Sequence, residues 1–239
     1  MSVIEFSDSI AVITLDNPPQ NYLKRPEFIE LEVLKSALAG EECKAVIIKG
    51  TGRHFSAGAD TEELRKLLKS GTIEQELRKG KELLKFLRAL KIPLIAAIEG
   101  VCFGGGLEIA LNCDIRLASE KSLFAFPEAN LNLLPGMGGS RMLPAKIGKA
   151  KTLELLLSAD VFDAQTAFEL QLLDQLCSPK TSFSQAMQLA RKMTNERPLY
   201  LINAIVEAVR NAQELSYDEA MERETRLFAQ LARKAVRNE

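Results

Sequence analysis

The sequence predicts an α/β fold with a helical C-terminal part, and three observations support this prediction. Short apolar segments alternate with stretches of helical periodicity over the first part of the 239-residue chain. The strand signal then thins, and amphipathic segments follow one another to the C-terminus. No linker rich in Gly, Ser or Pro separates the two parts. Since strands that alternate with helices form parallel sheets, we expect one largely parallel sheet.

The N-terminal part predicts a β-hairpin, a helix and a strand. Residues 3–6 and 10–15 are short β-branched runs separated by Ser-Asp-Ser, which is typical of a hairpin turn. A helix is predicted from Pro26 to residue 40, because Pro is well accepted in the first turn of a helix. Residues 45–48 are continuously apolar, as in a buried strand.

The remaining elements follow the same reasoning. Residues 60–68 and 75–90 have helical periodicity. Residues 93–98 are apolar at every position and predict a strand buried on both faces. The C-terminal part predicts amphipathic helices at 150–157, 164–170, 183–193, 199–209 and 217–236.

Composition excludes several classes of function. With 31 Lys and Arg against 32 Asp and Glu, the formal net charge is -1, which favours neither nucleic acid nor an anionic membrane surface. The four cysteines form no CxxC pair and His54 is the only histidine, so we expect no metal site and no disulfide scaffold. The N-terminus lacks the features of a signal peptide, and no apolar run approaches the roughly 18 residues of a membrane span. A cytoplasmic location is therefore expected.

Two glycine-bearing turns are candidates for binding developing negative charge. They are FSAGAD at 55–60 and GVCFGGGLE at 100–108, each between a buried strand and a helix. The N-terminus of a helix presents unpaired N–H groups, and two such donors that converge make an oxyanion hole. Alternatively, the glycines serve only tight turns and close packing. Neither turn contains GxGxxG or a phosphate-binding GxxxxGK[ST] loop, which argues against nucleotide binding.

Two glutamates are candidate proton carriers. Glu108 follows the three glycines in the first turn of its predicted helix, and Glu128 lies among apolar residues in FAFPE. Burial raises the pKa of a carboxyl group and suits it to proton transfer near neutral pH. The alternative is that each is a solvated residue at a helix start that complements the helix dipole.

Three motifs in this order resemble the crotonase (enoyl-CoA hydratase/isomerase) superfamily, and the resemblance covers nearly the whole chain. They are FSAGAD, GVCFGGGLEIALNCDIRLAS and FAFPEANLNLLPGMGGSRMLPAKIG. The resemblance implies a crotonase-like spiral of ββα units with a C-terminal helical trimerisation region. Residues 1–180 would form the catalytic core, and residues 181–239 the helical region that mediates oligomerisation and covers the active site. A homotrimer or homohexamer is expected.

The resemblance also implies the site residues. The N–H groups of Ala59 and Gly105 correspond to the oxyanion hole, and Glu108 and Glu128 to the two catalytic glutamates of the hydratases. The residues implied to contact the substrate or its CoA part are Ala57, Gly58, Asp60, Leu23, Lys24 and Gly104. Asp60 is in addition expected to cap the helix that follows it.

The activity implied is that of an enoyl-CoA hydratase, which adds water to the 2,3 double bond of a 2-enoyl-CoA and gives 3-hydroxyacyl-CoA. No cofactor is expected, because coenzyme A is carried by the substrate. The alternatives are a Δ3,Δ2-enoyl-CoA isomerase and an acyl-thioester decarboxylase or dehydratase. For each of these, the acyl carrier is either CoA or an acyl carrier protein. The non-enzymatic alternative is a silent crotonase-fold binding protein.

Overall fold

The computed structural model describes residues 2–39 and 42–237 and has a mixed α/β architecture, as predicted. The strands are β1 Val3–Ser7, β2 Ile10–Leu15, β3 Ala45–Gly50, β4 Leu94–Ile98, β5 Val101–Phe103, β6 Ile115–Ser119, β7 Leu123–Ala125, β8 Phe162–Asp163 and β9 Gln175–Cys177. The helices are α1 Leu31–Ala39, α2 Thr61–Ser70, α3 Ile73–Ala89, α4 Gly105–Leu111, α5 Gly139–Ser158, α6 Ala164–Glu169, α7 Ser182–Thr194, α8 Leu199–Glu214 and α9 Tyr217–Arg237. A 3-10 helix spans Pro127–Leu131.

The larger sheet has six strands in the order β1-β2-β3-β4-β6-β9. The hairpin pair β1 and β2 is antiparallel, and every other pair is parallel, which confirms both the predicted hairpin and the largely parallel sheet. All five residues of β4 are buried, as expected for a strand covered on both faces. On one of these faces Ala186 and Ala190 of α7 pack against Ile47 and Ile95.

A smaller sheet of order β5-β7-β8 holds the region of the second glycine turn. Strand β5 pairs in parallel with β7, so that Phe103 lies beside Ala125. The Gly104 N–H extends this pairing by donating to the Ala125 carbonyl oxygen at 2.9 Å. The 3-10 helix begins two residues after Ala125, and the small sheet thereby brings it next to the glycine turn.

The predicted helices around 60–68 and 75–90 and the strand around 93–98 are confirmed as α2, α3 and β4. Asp60 is the N-cap of α2, and its carboxylate accepts from the N–H groups of Glu62 and Glu63 at 2.9 and 3.1 Å. This satisfies two of the unpaired donors at the helix start.

The helix predicted from Pro26 is wrong at its start, because α1 begins at Leu31. Tertiary packing holds residues 26–30 in a non-helical course. Phe28 and Ile29 are buried in the core, and Gly80 of α3 lies against Pro26, where a Cβ on Gly80 would stand 2.5 Å from the Pro26 Cβ. These contacts outweigh a local preference that favours a first-turn proline.

The prediction of helices alone after the middle of the chain is also wrong. Strands β8 and β9 lie in that part, where they complete sheets begun earlier by pairing with β7 and β6. The helix predicted at 150–157 is the end of α5, which starts at Gly139 and has a break at Gly148, whose φ is 74°. In the described part of the chain, no helix is long and apolar enough to cross a membrane.

Candidate active site

The first glycine turn is fixed by hydrogen bonds to β5 and to the loop before it. The Ser56 N–H donates to the Val101 carbonyl oxygen at 3.1 Å, and the Phe103 N–H donates to the Ser56 carbonyl oxygen at 2.9 Å. The buried Ser56 hydroxyl donates to the Asn21 carbonyl oxygen at 2.7 Å and accepts from the Gly58 N–H at 3.1 Å. Gly58 has a φ of 86°, and a Cβ there would lie 2.9 Å from the Phe103 carbonyl oxygen. Glycine is therefore required at this position.

The Ala59 N–H is left available by the pairing around it. Leu23 and Ala59 form a parallel bridge in which the Leu23 N–H donates to the Gly58 carbonyl oxygen at 2.8 Å. The Asp60 N–H donates to the Leu23 carbonyl oxygen at 2.9 Å, so the bridge uses the N–H groups of Leu23 and Asp60 but not that of Ala59. The Ala57 N–H, in contrast, donates to the Gln20 carbonyl oxygen at 2.9 Å and is already engaged.

The second glycine turn leads directly into α4. Gly104 is the N-cap residue, with φ 47° and ψ -123°, and its carbonyl oxygen accepts the first helical bond from the Glu108 N–H at 2.9 Å. Gly105 is the first residue of the helix, where an N–H has no partner within the helix. Gly106 lies against the first turn, since a Cβ there would stand 2.8 Å from the Ser56 Cβ. The two turns are thus packed directly on each other.

Glu108 connects α4 to the start of α5. Its side chain is buried, and Oε1 accepts from the Met137 N–H at 2.8 Å and from the Gly139 N–H at 2.7 Å. Burial raises the pKa of Glu108 above its ordinary value, while these two hydrogen bonds and the positive charge of Lys81 act in the opposite direction. The carboxylate form is therefore buried but supported by donors.

Glu128 is the second residue of the 3-10 helix and approaches the glycine turn. A Cβ on Gly104 would lie 2.8 Å from Glu128 Oε1, so this carboxyl group lies directly against the glycine. Its other oxygen, Oε2, is buried and has no hydrogen-bond partner among the described residues. Burial, with a smaller contribution from the nearby charge of Glu108, raises the pKa of Glu128 to about 7. A buried carboxyl oxygen without a partner indicates a place for a ligand or water.

A cavity of about 150 Å³ brings most of the predicted site residues together. The predicted residues that line it are Ala59, Gly105, Glu108, Glu128, Leu23, Lys24 and Asp60. The rest of its wall is largely apolar, with Leu64, Leu67, Leu68, Ile73, Leu77, Leu133 and Leu134. Three predicted contact residues do not line the cavity, namely Ala57, Gly58 and Gly104. The last two shape the turns that hold its donors.

Several residues that position the site were not assigned a role from the sequence. Met137 and Gly139 hold the Glu108 carboxylate, and Ser56 and Asn21 hold the first turn. Asn21 is buried with a φ of 52°, and its side-chain amide donates to the carbonyl oxygens of Thr51 and His54 at 2.8 and 2.7 Å. The run Gly-Met-Gly-Gly in the third motif was the available signal for the residues that bind Glu108.

The arrangement has the parts needed for proton transfer beside a carbonyl group. Ala59 and Gly105, whose N–H groups the pairing described above leaves unused, line a largely apolar cavity, and two carboxyl groups of different environment border the same cavity. Paired donors stabilise negative charge on an oxygen, and two carboxyl groups in different environments suit acid and base roles.

Comparison with protein families and curated proteins identifies close similarities over the whole chain. The family model described as enoyl-CoA hydratase/isomerase matches residues 5–239. A probable enoyl-CoA hydratase of Bacillus subtilis (strain 168) is 33% identical over 228 residues, which cover 92% of this chain and 86% of that protein. The 2,3-dehydroadipyl-CoA hydratase of Escherichia coli (strain K12) is 31% identical over 239 residues, which cover 99% and 92%.

Solved structures show the same fold. The crystal structure of an enoyl-CoA hydratase from Polaromonas sp. JS666 superposes with a TM-score of 0.88 at 26% identity. The match covers 96% of this chain and 90% of that one. The expected crotonase-like fold is thereby confirmed.

Proposed function

The chain belongs to the enoyl-CoA hydratase/isomerase family, and we propose that it is a hydratase that adds water reversibly to the 2,3 double bond of a 2-enoyl thioester. The observation that carries this proposal is the position of two carboxyl groups, Glu108 and Glu128, on one cavity with two glycine-turn N–H groups. The names of the two curated relatives, both hydratases, support it.

In this proposal the thioester carbonyl oxygen accepts hydrogen bonds from the N–H groups of Ala59 and Gly105. Addition of water at C3 of the enoyl group places negative charge on this oxygen as an enolate. Backbone donors held in rigid turns stabilise that charge without reorganising. The two turns are held by the contact of Gly106 with Ser56, which sets the spacing of the two donors.

The environments of the two glutamates favour separate roles. Glu108 is supported as an anion by two backbone N–H groups, so it acts as the base that takes a proton from water as the oxygen bonds to C3. Glu128, with a pKa of about 7, is the better proton donor near neutral pH, and it delivers its proton to C2. A proton passes to Glu108 and one leaves Glu128, so the substrate gains one water molecule. Transfer of one proton from Glu108 back to Glu128, directly or through solvent, restores the enzyme.

The alternatives differ in how many carboxyl groups they need. An isomerase moves one proton between two carbon atoms with a single carboxylate, and a decarboxylase needs neither glutamate. A silent binding protein would need none of the donors. The unpartnered Oε2 of Glu128, on a cavity that Glu108 also lines, favours the addition of water over these alternatives.

The test is hydration of crotonyl-CoA and longer 2-enoyl-CoAs by the purified protein. Loss of the near-ultraviolet absorbance of the conjugated enoyl thioester measures the rate, and mass spectrometry identifies the 3-hydroxyacyl product. The matched control is Glu120→Gln, because Glu120 is exposed and away from the cavity. Activity that Glu120→Gln retains and Glu108→Gln/Glu128→Gln loses supports a hydratase. Absence of hydration with every CoA ester and with enoyl-acyl carrier protein would exclude it.

The remaining expectations accompany this proposal. Acyl-CoA, or an acyl carrier protein thioester, is the proposed substrate, and no separate cofactor is required because the carrier arrives with the acyl group. The homotrimer or homohexamer, the boundary at residue 180 and the cytoplasmic location stay predictions.

A further inference from the structure

A second cavity, of about 470 Å³, lies between α3, the start of α5 and α8. Six basic side chains line it: Lys81, Lys85, Arg88, Lys91, Arg141 and Arg210. It shares Met137 with the smaller cavity, so both spaces border the segment whose N–H groups hold Glu108. We call this second space the basic cavity.

Half of the basic cavity's positive charge is compensated by carboxylates. Arg88 pairs with Glu214 at 2.6 Å, and Lys91 pairs with Glu207 at 2.5 Å. Glu207 is also paired with Arg223, outside the cavity wall. Arg210 pairs with Asp114 at 2.6 Å and donates to backbone carbonyl oxygens at the end of α3. These pairs hold α8 to the core.

The other three cations form no direct ion pair with a carboxylate in the part of the chain from 2 to 39 and 42 to 237: Lys81, Lys85 and Arg141. Lys81 and Lys85 are four residues apart, on one face of α3. Arg141 lies in the first turn of α5, at the positive end of the helix dipole. Like charges held around one space repel each other, and an anion between them removes that repulsion.

The basic cavity and the apolar cavity are neighbours along α3. Leu77 lines the smaller cavity, and Lys81 follows it by one turn on the same face of α3. Met137, a residue with a flexible side chain, lines both spaces. The charge of Lys81 is felt at Glu108, whose pKa it lowers, so this side of the basic cavity is electrostatically connected to the candidate catalytic carboxylate.

We propose that the basic cavity binds an anionic head group, a carboxylate or phosphate, held by Lys81, Lys85 and Arg141. The head group belongs either to a free small anion or to the far end of an acyl group that extends past Met137. The second source rests on the proposed function, whereas the first does not.

Direct titration tests the site itself. Inorganic phosphate is titrated into the protein by isothermal calorimetry, in a buffer without other multivalent anions. The double variant Lys85→Ala/Arg141→Ala is compared with Lys149→Ala. The control removes an exposed cation of α5 that lies outside the cavity. We expect saturable binding that weakens by about tenfold for each cavity charge removed and is unchanged in Lys149→Ala. Circular dichroism confirms that the variants are folded.

Substrate comparison tests the second source. The ratio of kcat/KM for an enoyl-CoA with a terminal carboxylate to that for an uncharged enoyl-CoA of equal length is measured in the same variants. If the acyl group supplies the anion, this ratio falls at least about tenfold in Lys85→Ala/Arg141→Ala and not in Lys149→Ala. Either positive result supports the site and identifies its source.

Two results together overturn the proposal. Phosphate would show no saturable binding that depends on Lys85 and Arg141, and the kcat/KM ratio of charged to uncharged enoyl-CoA, where it can be measured, would be the same in the wild type and the double variant. Failure of the hydratase proposal is a separate result, since it appears as inactivity toward uncharged enoyl-CoA while the phosphate titration is unaffected.

Discussion

Gly106 and Ser56 are in direct contact, with room for no side-chain atom between them. A Cβ on Gly106 would stand 2.8 Å from the Ser56 Cβ and 2.9 Å from the Ser56 carbonyl oxygen. One residue belongs to the helix that begins at the second glycine turn and the other to the first turn. This contact therefore sets the distance between the two N–H groups proposed as the oxyanion hole.

Gly106→Ala is expected to lower kcat/KM for hydration by about 100-fold, because the added methyl group forces the two turns apart and misplaces their donors. Thermal unfolding should also occur at a lower temperature. The control is Gly52→Ala, where an added Cβ meets nothing within 4 Å, so that any loss of stability there comes from its φ of 70° alone. Equal activity of the Gly106 variant and the wild type would contradict the prediction.

Glu108→Gln should retain the fold and lose the activity. The amide oxygen of Gln can still accept from the N–H groups of Met137 and Gly139, whereas the amide cannot take a proton from water. The expected loss of kcat is about 100-fold to 10,000-fold, the usual contribution of a general base. Steady-state kinetics and thermal unfolding measure the two effects, and a loss of stability without a loss of activity would point to a structural role.

The rate of hydration should fall as the pH rises through about 7, because Glu128 must be protonated to deliver a proton and its pKa is raised to about 7. The two carboxyl groups interact, so the measured pKa belongs to the pair. A kcat/KM profile over pH gives the apparent value. A rate that instead increases over the same interval would assign Glu128 the role of base.

The same shift has a consequence for stability. In the folded state the pKa of Glu128 is raised above its ordinary value of 4.5. The contribution of Glu128 to the free energy of unfolding is therefore fully present below pH 4.5. This contribution is lost as the pH rises through about 7. Glu128→Gln, which cannot ionise, should therefore show a smaller fall in melting temperature between acidic and neutral pH than the wild type.

Leu77→Ala should shift the preference of the enzyme toward longer acyl chains. The Leu77 side chain borders the apolar cavity and lies against Gly136, where a Cβ would be 2.8 Å from Leu77 Cδ2. Its truncation opens space for further methylene groups, each worth about 0.8 kcal/mol when buried. The ratio of kcat/KM for a long to a short 2-enoyl-CoA measures the shift. Leu68→Ala, at a more exposed position of the same wall, is the matched control and should change the ratio less.

The sequence predicted those helices and strands whose apolar residues follow a clear pattern or whose ends carry a recognisable capping residue. Strand β4 is buried on both faces and is apolar throughout, and α2 has a capping Asp60 and an end at Gly71. Strands β5, β7 and β8 have only two or three residues each, too few for a periodic pattern. Their existence depends on pairing with distant partners, which local sequence does not specify.

The site was predicted unevenly for a similar reason. Glu108 and Glu128 could be predicted from their positions in the sequence and from the resemblance to a known family. Their position on one cavity, however, depends on the pairing of β5 with β7. The N–H groups that hold Glu108 come from Met137 and Gly139, and a backbone donor leaves no mark in the residue type. The hydrogen bond from the Ala57 N–H to the Gln20 carbonyl oxygen likewise depends on tertiary structure, which the local sequence does not reveal.

The carboxylate of Glu108 is also what secures the beginning of α5, because Oε1 accepts from Met137 on one side of the helix start and from Gly139 on the other. Charged acceptors make stronger hydrogen bonds than neutral ones. In the proposed mechanism a proton that arrives on Glu108 therefore weakens the two bonds that hold the segment around Met137, which lines both cavities. We expect this segment to become more mobile when Glu108 is neutral and to become rigid again when the proton departs. The mobility of the cavity wall would then change with each catalytic cycle.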